Sequence, residues 1–324
     1  MAFIPQFEDA SRQKCKASIM IEGLTGKGKS GLALAIAQGL TKGDWSKIAV
    51  IDTENKSANL FVGVPANFGG TFGHFKVCQL TPDIGYRPSN YIFCREHAIT
   101  KLKSEVVIED SISHAWQYQG GVLDLVNEAK RTSTRYSKDA YAAWSDETVA
   151  KEKNELLQLI RDYRCHVITT VRVKEKFEYV PGDDGKNKLN SLGEQQIQQA
   201  ELKYEPDLVL HMLRPGKSKG NDVVHPKARV VKSRYAIFDE GTEYDFTPEL
   251  IEQLRQYLDE GADPAELLEK QRTDYIVGVK EFLDTHQTAV SIWKILKKEA
   301  GHEETKLDDM PLDTLKALFI KITS

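Results

Sequence analysis

The sequence predicts an α/β protein in which a mostly parallel central sheet is flanked by helices and followed by a small helical domain. Three observations carry that expectation. Short apolar runs alternate with segments of helical periodicity, the pattern of strands buried on both faces and joined by helical crossovers. The first run ends in a glycine-rich turn that opens directly into a helix. Beyond Asp263-Pro264, an N-cap followed by a first-turn proline, the chain is helical and acidic throughout.

In order, ASIMIEG (17–23) is the first buried strand. LTGKGKSGLALAIAQGL follows, glycine-rich and then helical, with Leu32, Ile36 and Leu40 at helical spacing. Further strands are expected at KIAVID (47–52), HFKVCQL (74–80), EVVIED (105–110), CHVITTV (165–171) and DLVLHML (207–213). SNYIFCREHAITKLK (89–103) and SDETVAKEKNELLQLIRDY (145–163) read as helices between them. From Phe177 to Gln199 the chain is polar and glycine-bearing and reads as a long mobile loop, which in a compact domain is more often functional or disordered than structural. ARVVKSRYAIF (228–238) returns to strand pattern, and Thr247-Pro248 starts the helix PELIEQLRQYLDE. The expected division is a core of residues 1–262 and an acidic helical domain of residues 263–324. Ile292, Trp293, Leu296, Leu315, Leu318 and Phe319 are the expected core of that second domain, while Trp116 and Trp144 suit the main core or a subunit contact.

Of the 324 residues, 40% are hydrophobic and 28% charged, a composition that supports a packed core rather than disorder. No apolar run reaches the ~18 residues of a membrane helix, and MAFIPQFEDA lacks the form of a signal peptide. Four cysteines without a CxxC pair argue against a zinc site or disulfide framework and fit a reducing cytosol. The net charge of -4 conceals an asymmetry. Residues 1–171 carry 21 basic and 19 acidic side chains, residues 172–234 carry 13 and 9, and residues 235–324 carry 10 and 20. The basic middle, at +4, keeps a nucleic-acid partner open despite the acidic total.

Gly23-Leu24-Thr25-Gly26-Lys27-Gly28-Lys29-Ser30, followed by Gly31, fits G-x-x-x-x-G-K-[ST] between a strand and a helix. Glycines there let successive backbone N–H groups curl around a phosphate, and the helix directs its positive end at the anion. Lys29 would reach the β- and γ-phosphates of ATP, and Ser30 would ligate Mg2+. A second acid for the metal belongs at the end of a later buried strand. EVVIEDS offers Glu109 and Asp110; alternation along the strand points them in opposite directions, with Asp110 favoured for the metal and Glu109 as a structural carboxylate. KIAVID ends in Asp52-Thr53-Glu54, where a carboxylate would either orient an attacking water or cap a turn. His114 suits a hydrogen bond near this site or a structural role.

Together these residues resemble the RecA-like ATPases, and VVIEDSISHAW, VITTVRVKEKF and ARVVKSRYAIFDEGTEYDFTPELIEQL are similar to the compact bacteriophage members associated with recombination and single-strand annealing. The resemblance covers residues 15–260 and implies a RecA-like P-loop core. It implies that Glu54, in IDTE, polarises the attacking water and that Asp110 supports Mg2+ with Ser30. It implies that Thr170 stands at the γ-phosphate sensor position, where the family has a glutamine. Lys232 and Arg234, in ARVVKSR, match two cations that reach a neighbouring subunit's ATP, worth roughly a thousandfold or more in turnover. The segment after the sensor strand is the family's single-stranded DNA contact. Arg172, Lys174, Lys176, Phe177, Lys186 and Lys188 fall on it, cations for phosphates and a ring for stacking on bases.

The expected function is therefore a Mg2+-dependent, DNA-stimulated ATPase acting on single-stranded DNA in phage recombination or annealing. It would self-associate with its ATP site at the subunit interface, possess no membrane segment and work in the (host) cytoplasm. A single-strand-binding protein or another replication or recombination protein is a further expected partner. Two alternatives stay open: an annealing oligomer merely stabilised by ATP, and a motor or loader of the same fold.

Overall fold

The computed structural model describes residues 9–66, 70–139, 141–161, 164–181, 187–213 and 224–323, giving only the backbone at 138, 176–181, 187–193 and 200. Two compact units form, one of Cys15–Leu258 and one of Asp259–Ser324 with the N-terminal segment through Lys14. The sequence places the division four residues later and puts the whole N-terminus in the first unit. Backbone pairing explains the difference: Lys14 N donates to Ala262 O at 2.9 Å, and Ala262 N donates to Arg12 O at 3.1 Å.

The first unit comprises β1 (Ser18–Gly23), α1 (Lys29–Leu40), β2 (Ile48–Asp52), β3 (Lys76–Gln79), α2 (Pro88–Thr100), β4 (Val106–Asp110), α3 (Ser113–Gln117), α4 (Val122–Thr132), α5 (Thr134–Lys138), α6 (Glu147–Arg161), β5 (His166–Pro181), β6 (Asn187–Gln196), β7 (Leu208–Met212), β8 (Lys227–Ser233), β9 (Glu243–Asp245) and α7 (Pro248–Asp259). It is an α/β structure with one mixed, mostly parallel sheet in the order β3-β2-β4-β5-β1-β7-β8-β9; β6 pairs with β5 beside that path. The six strands from β3 to β7 run parallel, while β8 and β9 are antiparallel.

Continuous apolar strands follow from burial on both faces. Ile19 and Ile21 of β1, Val50 of β2, and Val106 and Ile108 of β4 pack with α1 and α7. The alternate residues, Met20, Ala49, Ile51 and Val107, pack on the other face against Tyr91 and Ala98 of α2 and Leu156 and Leu159 of α6. This is a sheet sandwiched between two helical layers. Trp116 and Trp144 stack with ring centroids 6.1 Å apart beside these cores, which supports the core reading for both.

The expected long loop is instead a β-hairpin. β5 leaves the sheet after Arg172 and continues to Pro181, paired antiparallel with β6 from Val173↔Gln196 to Pro181↔Asn187. Val173, Phe177, Tyr179 and Val180 are strong strand formers, and Asp184-Gly185, outside the described residues, is a hairpin-turn signature. The polar composition reflects a ribbon projecting from the sheet rather than a lack of structure.

The second unit contains α8 (Pro264–Thr285), α9 (Ala289–Glu299) and α10 (Leu312–Thr323). Asp263 caps α8 by accepting from Ala265 N at 2.9 Å. Trp293, Leu315 and Leu318 are buried with Val279 and Met310, and Leu296 and Phe319 pack against them. Ile292 is the exception, at 50% exposure on the outer face of α9. No described helix is long and apolar enough to cross a membrane.

His166, at the start of β5, accepts a hydrogen bond at Nδ1 from Ala17 N at 3.0 Å, and burial, aided by Lys16, pushes its pKa down to about 3. A base whose folded pKa lies below its unfolded value destabilises the fold as pH drops through that interval, because the unfolded chain takes up the proton first. Wild type is expected to lose about 1.6 kcal/mol more than His166→Asn between pH 6.5 and pH 5, measured by urea denaturation at each pH. Parallel losses in the two proteins would contradict this.

Candidate functional site

The parallel registers bring the carboxyl ends of β1, β2 and β4 to one edge of the sheet, beside the point where β5 leaves it. Gly23 of β1 pairs with Arg172 of β5, and Asp52 of β2 pairs with Asp110 of β4. Crevices at the carboxyl ends of parallel strands are the usual ligand position in open α/β sheets. Here the glycine-rich turn of residues 23–30 joins β1 to α1. Gly26 and Gly28 have φ of 79° and 88°, conformations that a Cβ would strain, so glycine at these positions is a backbone requirement. Lys29 is buried at the first position of α1, and its Nζ donates to Gly23 O at 2.9 Å and Leu24 O at 3.0 Å. Burial lowers its pKa, with Glu54 and Asp110 opposing that shift.

A cleft of about 440 Å3 opens over this turn, lined in part by Thr25, Gly26, Lys29, Ser30, Glu54 and Asp110. Ser30 Oγ donates to Asp110 Oδ2, and the buried Thr170 donates its hydroxyl to Asp110 Oδ1. Thr170 therefore acts on the carboxylate of Asp110. Burial raises the Asp110 pKa, and both hydrogen bonds oppose the rise. A second hollow of about 340 Å3 shares Gly26 and Gly28 and adds Lys27, Gly31, Phe72 and Met212.

The neighbouring acids separate by role. Asp52 accepts from Glu54 N at 2.7 Å and Ala58 N at 3.1 Å, so it is the turn acid. This frees Glu54 to face the cleft, where its Oε1 accepts from Arg172 Nε at 2.9 Å. Glu109 points to the opposite face of the sheet and is fully buried in an ion pair with Arg95 of α2. The alternation of a strand separates it from Asp110. His114 is buried, with Nδ1 2.7 Å from Thr53 Oγ1, and burial together with Arg172 pushes its pKa down to about 4.

Arg172 stands at the base of the hairpin: besides Glu54 it contacts Tyr118 OH at 3.3 Å. Lys174 is exposed on the next outward position of β5. The backbones of Lys176 and Phe177 lie on β5 and that of Lys188 on β6, while Lys186 lies outside the described residues. A polar network missed by sequence reasoning ties this hairpin to the central strands. His211 of β7 places Nδ1 2.9 Å from Glu22 Oε1 and Nε2 3.3 Å from Glu194 Oε2, while Gln196 donates to Glu22. The hydrogen bond to Glu22 raises the His211 pKa despite burial. The available signal was a charged residue in each of two apolar strands, SIMIEG and LVLHM.

Lys232 and Arg234 lie away from this edge. Ser233 pairs with Leu208, and Leu208 pairs with Ile19 near the start of β1, whereas the glycine-rich turn follows its end. Lys232 Nζ donates to Tyr204 O at 2.6 Å and to Pro206 O, and Arg234 pairs with Asp207 at 3.1 Å.

The donor set fits Mg2+. A serine hydroxyl and a carboxylate are hard oxygen donors, and Mg2+ commonly takes only one or two protein ligands beside phosphates and water. Among the described residues no group of three or more His, Cys, Asp or Glu could hold an ion on its own. No protein-family model matches the chain, and no curated protein matches it.

Proposed function

We propose that the chain is a Mg2+-dependent, RecA-like P-loop ATPase that acts on single-stranded DNA in homologous recombination or strand annealing. The observation that carries this reading is the convergence of Lys29, Ser30, Asp110 and Glu54 around one cleft over a positive-φ glycine turn. Backbone N–H groups of the turn and the first turn of α1 hold the phosphates, Lys29 leaves its two carbonyl partners for the β- and γ-oxygens, and Ser30 with Asp110 holds Mg2+. Bound Mg2+ would neutralise charge on the phosphate oxygens. Glu54 accepts the proton of the attacking water as that water adds to the γ-phosphorus and the bond to the β,γ-bridging oxygen breaks, releasing ADP. The second hollow beside the turn, walled in part by Phe72 and Met212, suits the nucleoside end of ATP.

The opposite-edge position of Lys232 and Arg234 favours action on a neighbour's nucleotide, since they lie level with the start of β1 and their own cleft follows its end. The hairpin supplies the DNA contact, with Arg172 as the link: the strand that would meet DNA carries the guanidinium engaged with the catalytic carboxylate. Displacing Arg172 releases Glu54 for water. That same ion pair also favours a second reading, in which ATP stabilises an annealing oligomer and hydrolysis is incidental, because Glu54 is engaged in the isolated chain.

Equilibrium binding of ATP with Mg2+ to wild type and Lys29→Ala tests the central claim. Wild type is expected to bind, and the variant to lose about 100-fold or more in affinity and turnover, the scale of removing a charged donor from phosphate oxygens. Absence of Mg2+-dependent ATP binding by wild type would overturn it. Single-stranded DNA binding should weaken steeply with salt, and a salt-insensitive or undetectable interaction removes the DNA component.

A further inference from the structure

Cys78 and Cys94 have no part in the nucleotide chemistry. They are 16 positions apart in sequence, yet the fold brings them into a direct sulfur–sulfur hydrogen bond of 2.9 Å. Cys78 is exposed on β3, the edge strand of the sheet, and Cys94 is half-buried on α2. Cys15 is also exposed, whereas Cys165 is buried. The spacing without a CxxC pair concealed the encounter, which depends on α2 returning over the edge of the sheet.

We propose that Cys78 and Cys94 form a redox-modification site, a dithiol that converts reversibly to an intrachain disulfide by exchange with a low-molecular-weight disulfide such as glutathione disulfide. A disulfide bond of ~2.05 Å requires the two sulfurs to approach by less than about 1 Å. The thiolate is the reactive form, and the hydrogen bond with Cys94 lowers the Cys78 pKa to about 7 while raising that of Cys94. This makes exposed Cys78 the attacking group and Cys94 the resolving one.

The exchange balances in two steps. The Cys78 thiolate attacks one sulfur of the small disulfide, whose S–S bond breaks and releases one small thiolate. Cys94 then gives its proton to solvent and attacks the Cys78 sulfur, forming the protein disulfide and releasing the second thiolate. Two protein thiols lose two electrons, and one small disulfide becomes two small thiols. The product staples β3 to α2. Neighbouring contacts give that staple reach: Gln79 Nε2 donates to Asp52 O at 2.9 Å, and Arg95 joins α2 to Glu109 of β4.

The test is exposure of the full-length protein to glutathione disulfide, followed by alkylation and peptide mass analysis. Accessible thiols in denaturant are expected to fall from four to two, with a linked peptide pair containing residues 78 and 94 that dithiothreitol separates. The oxidised protein should melt about 5 °C higher than the reduced one. Cys94→Ser should stop at a glutathione adduct on Cys78, because its resolving thiol is gone. Full alkylation of Cys78 and Cys94 under excess glutathione disulfide would overturn the proposal, as would an adduct on Cys15 alone. A Cys94→Ser protein that resists modification at Cys78 would equally remove the attacking role.

Discussion

Glu54→Gln is expected to bind ATP within a few-fold of wild type and to hydrolyse it about 100- to 10,000-fold more slowly, the range for losing a general base. Of the carboxylates at the sheet edge, Asp52 is committed to backbone N–H groups and Asp110 to Ser30 and Thr170. Among the described residues, Glu54 alone combines a position on the cleft with a carboxylate that a side-chain movement could release. Glutamine preserves size and an oxygen acceptor for Arg172 but removes the charge and basicity. Single-turnover hydrolysis with bound ATP measures the chemical step directly. A loss below tenfold would exclude Glu54 as the base. Normal strand annealing by the hydrolysis-deficient variant would favour the reading in which ATP serves assembly.

The Glu54–Arg172 pair gives this prediction a second side. Arg172 is only part-buried, so the pair is screened and its separation is compatible with a regulatory movement. On the proposed function, removing the guanidinium should raise hydrolysis without DNA and flatten the response to DNA. The hairpin reaches Glu54 through Arg172 and reaches the glycine-rich turn through the Glu22–His211–Glu194 contacts. Both routes begin where β5 leaves the sheet.

The sequence made the parallel strands, the glycine-rich turn and the position of Asp110 legible because each depends on local rules: continuous apolar runs, positive-φ glycine and alternation along a strand. The roles of Asp52 and Glu54 were less accessible. Their separation depends on the turn after β2, where Asp52 accepts from Ala58 N and Glu54 is left to face Arg172 from 118 residues away. The hairpin was hidden by composition, since its sequence has the polar residues of a loop. The Cys78–Cys94 encounter needed tertiary closure of α2 on β3. In each case the missing information was which segments become neighbours.

Glu109→Ala is expected to destabilise the first unit by about 3–5 kcal/mol, the cost of leaving a buried charge without its counter-ion. Glu109 and Arg95 are both fully shielded from solvent, and Arg95 Nε donates to Glu109 Oε1 at 3.1 Å. Arg95 also donates to Leu159 O, so it bridges α2, β4 and α6. A guanidinium cannot escape the cost by deprotonating, and its carbonyl contacts do not replace a carboxylate charge. The melting temperature should drop by about 10 °C for a unit of this size. The adjacent variant, Asp110→Ala, should lose less stability and more binding. Burial already disfavours the charged form of Asp110, so its removal costs only the hydrogen bonds from Ser30 and Thr170, about 1–3 kcal/mol, while weakening Mg2+-dependent ATP binding. Calorimetric melting and ATP titration of both variants measure the contrast. If Glu109→Ala were stable but lost Mg2+-dependent binding, the assignment of the two acids would have to be reversed. If it instead melted early yet bound ATP normally at low temperature, two consecutive carboxylates would be separated into anchor and ligand by the alternation of one strand.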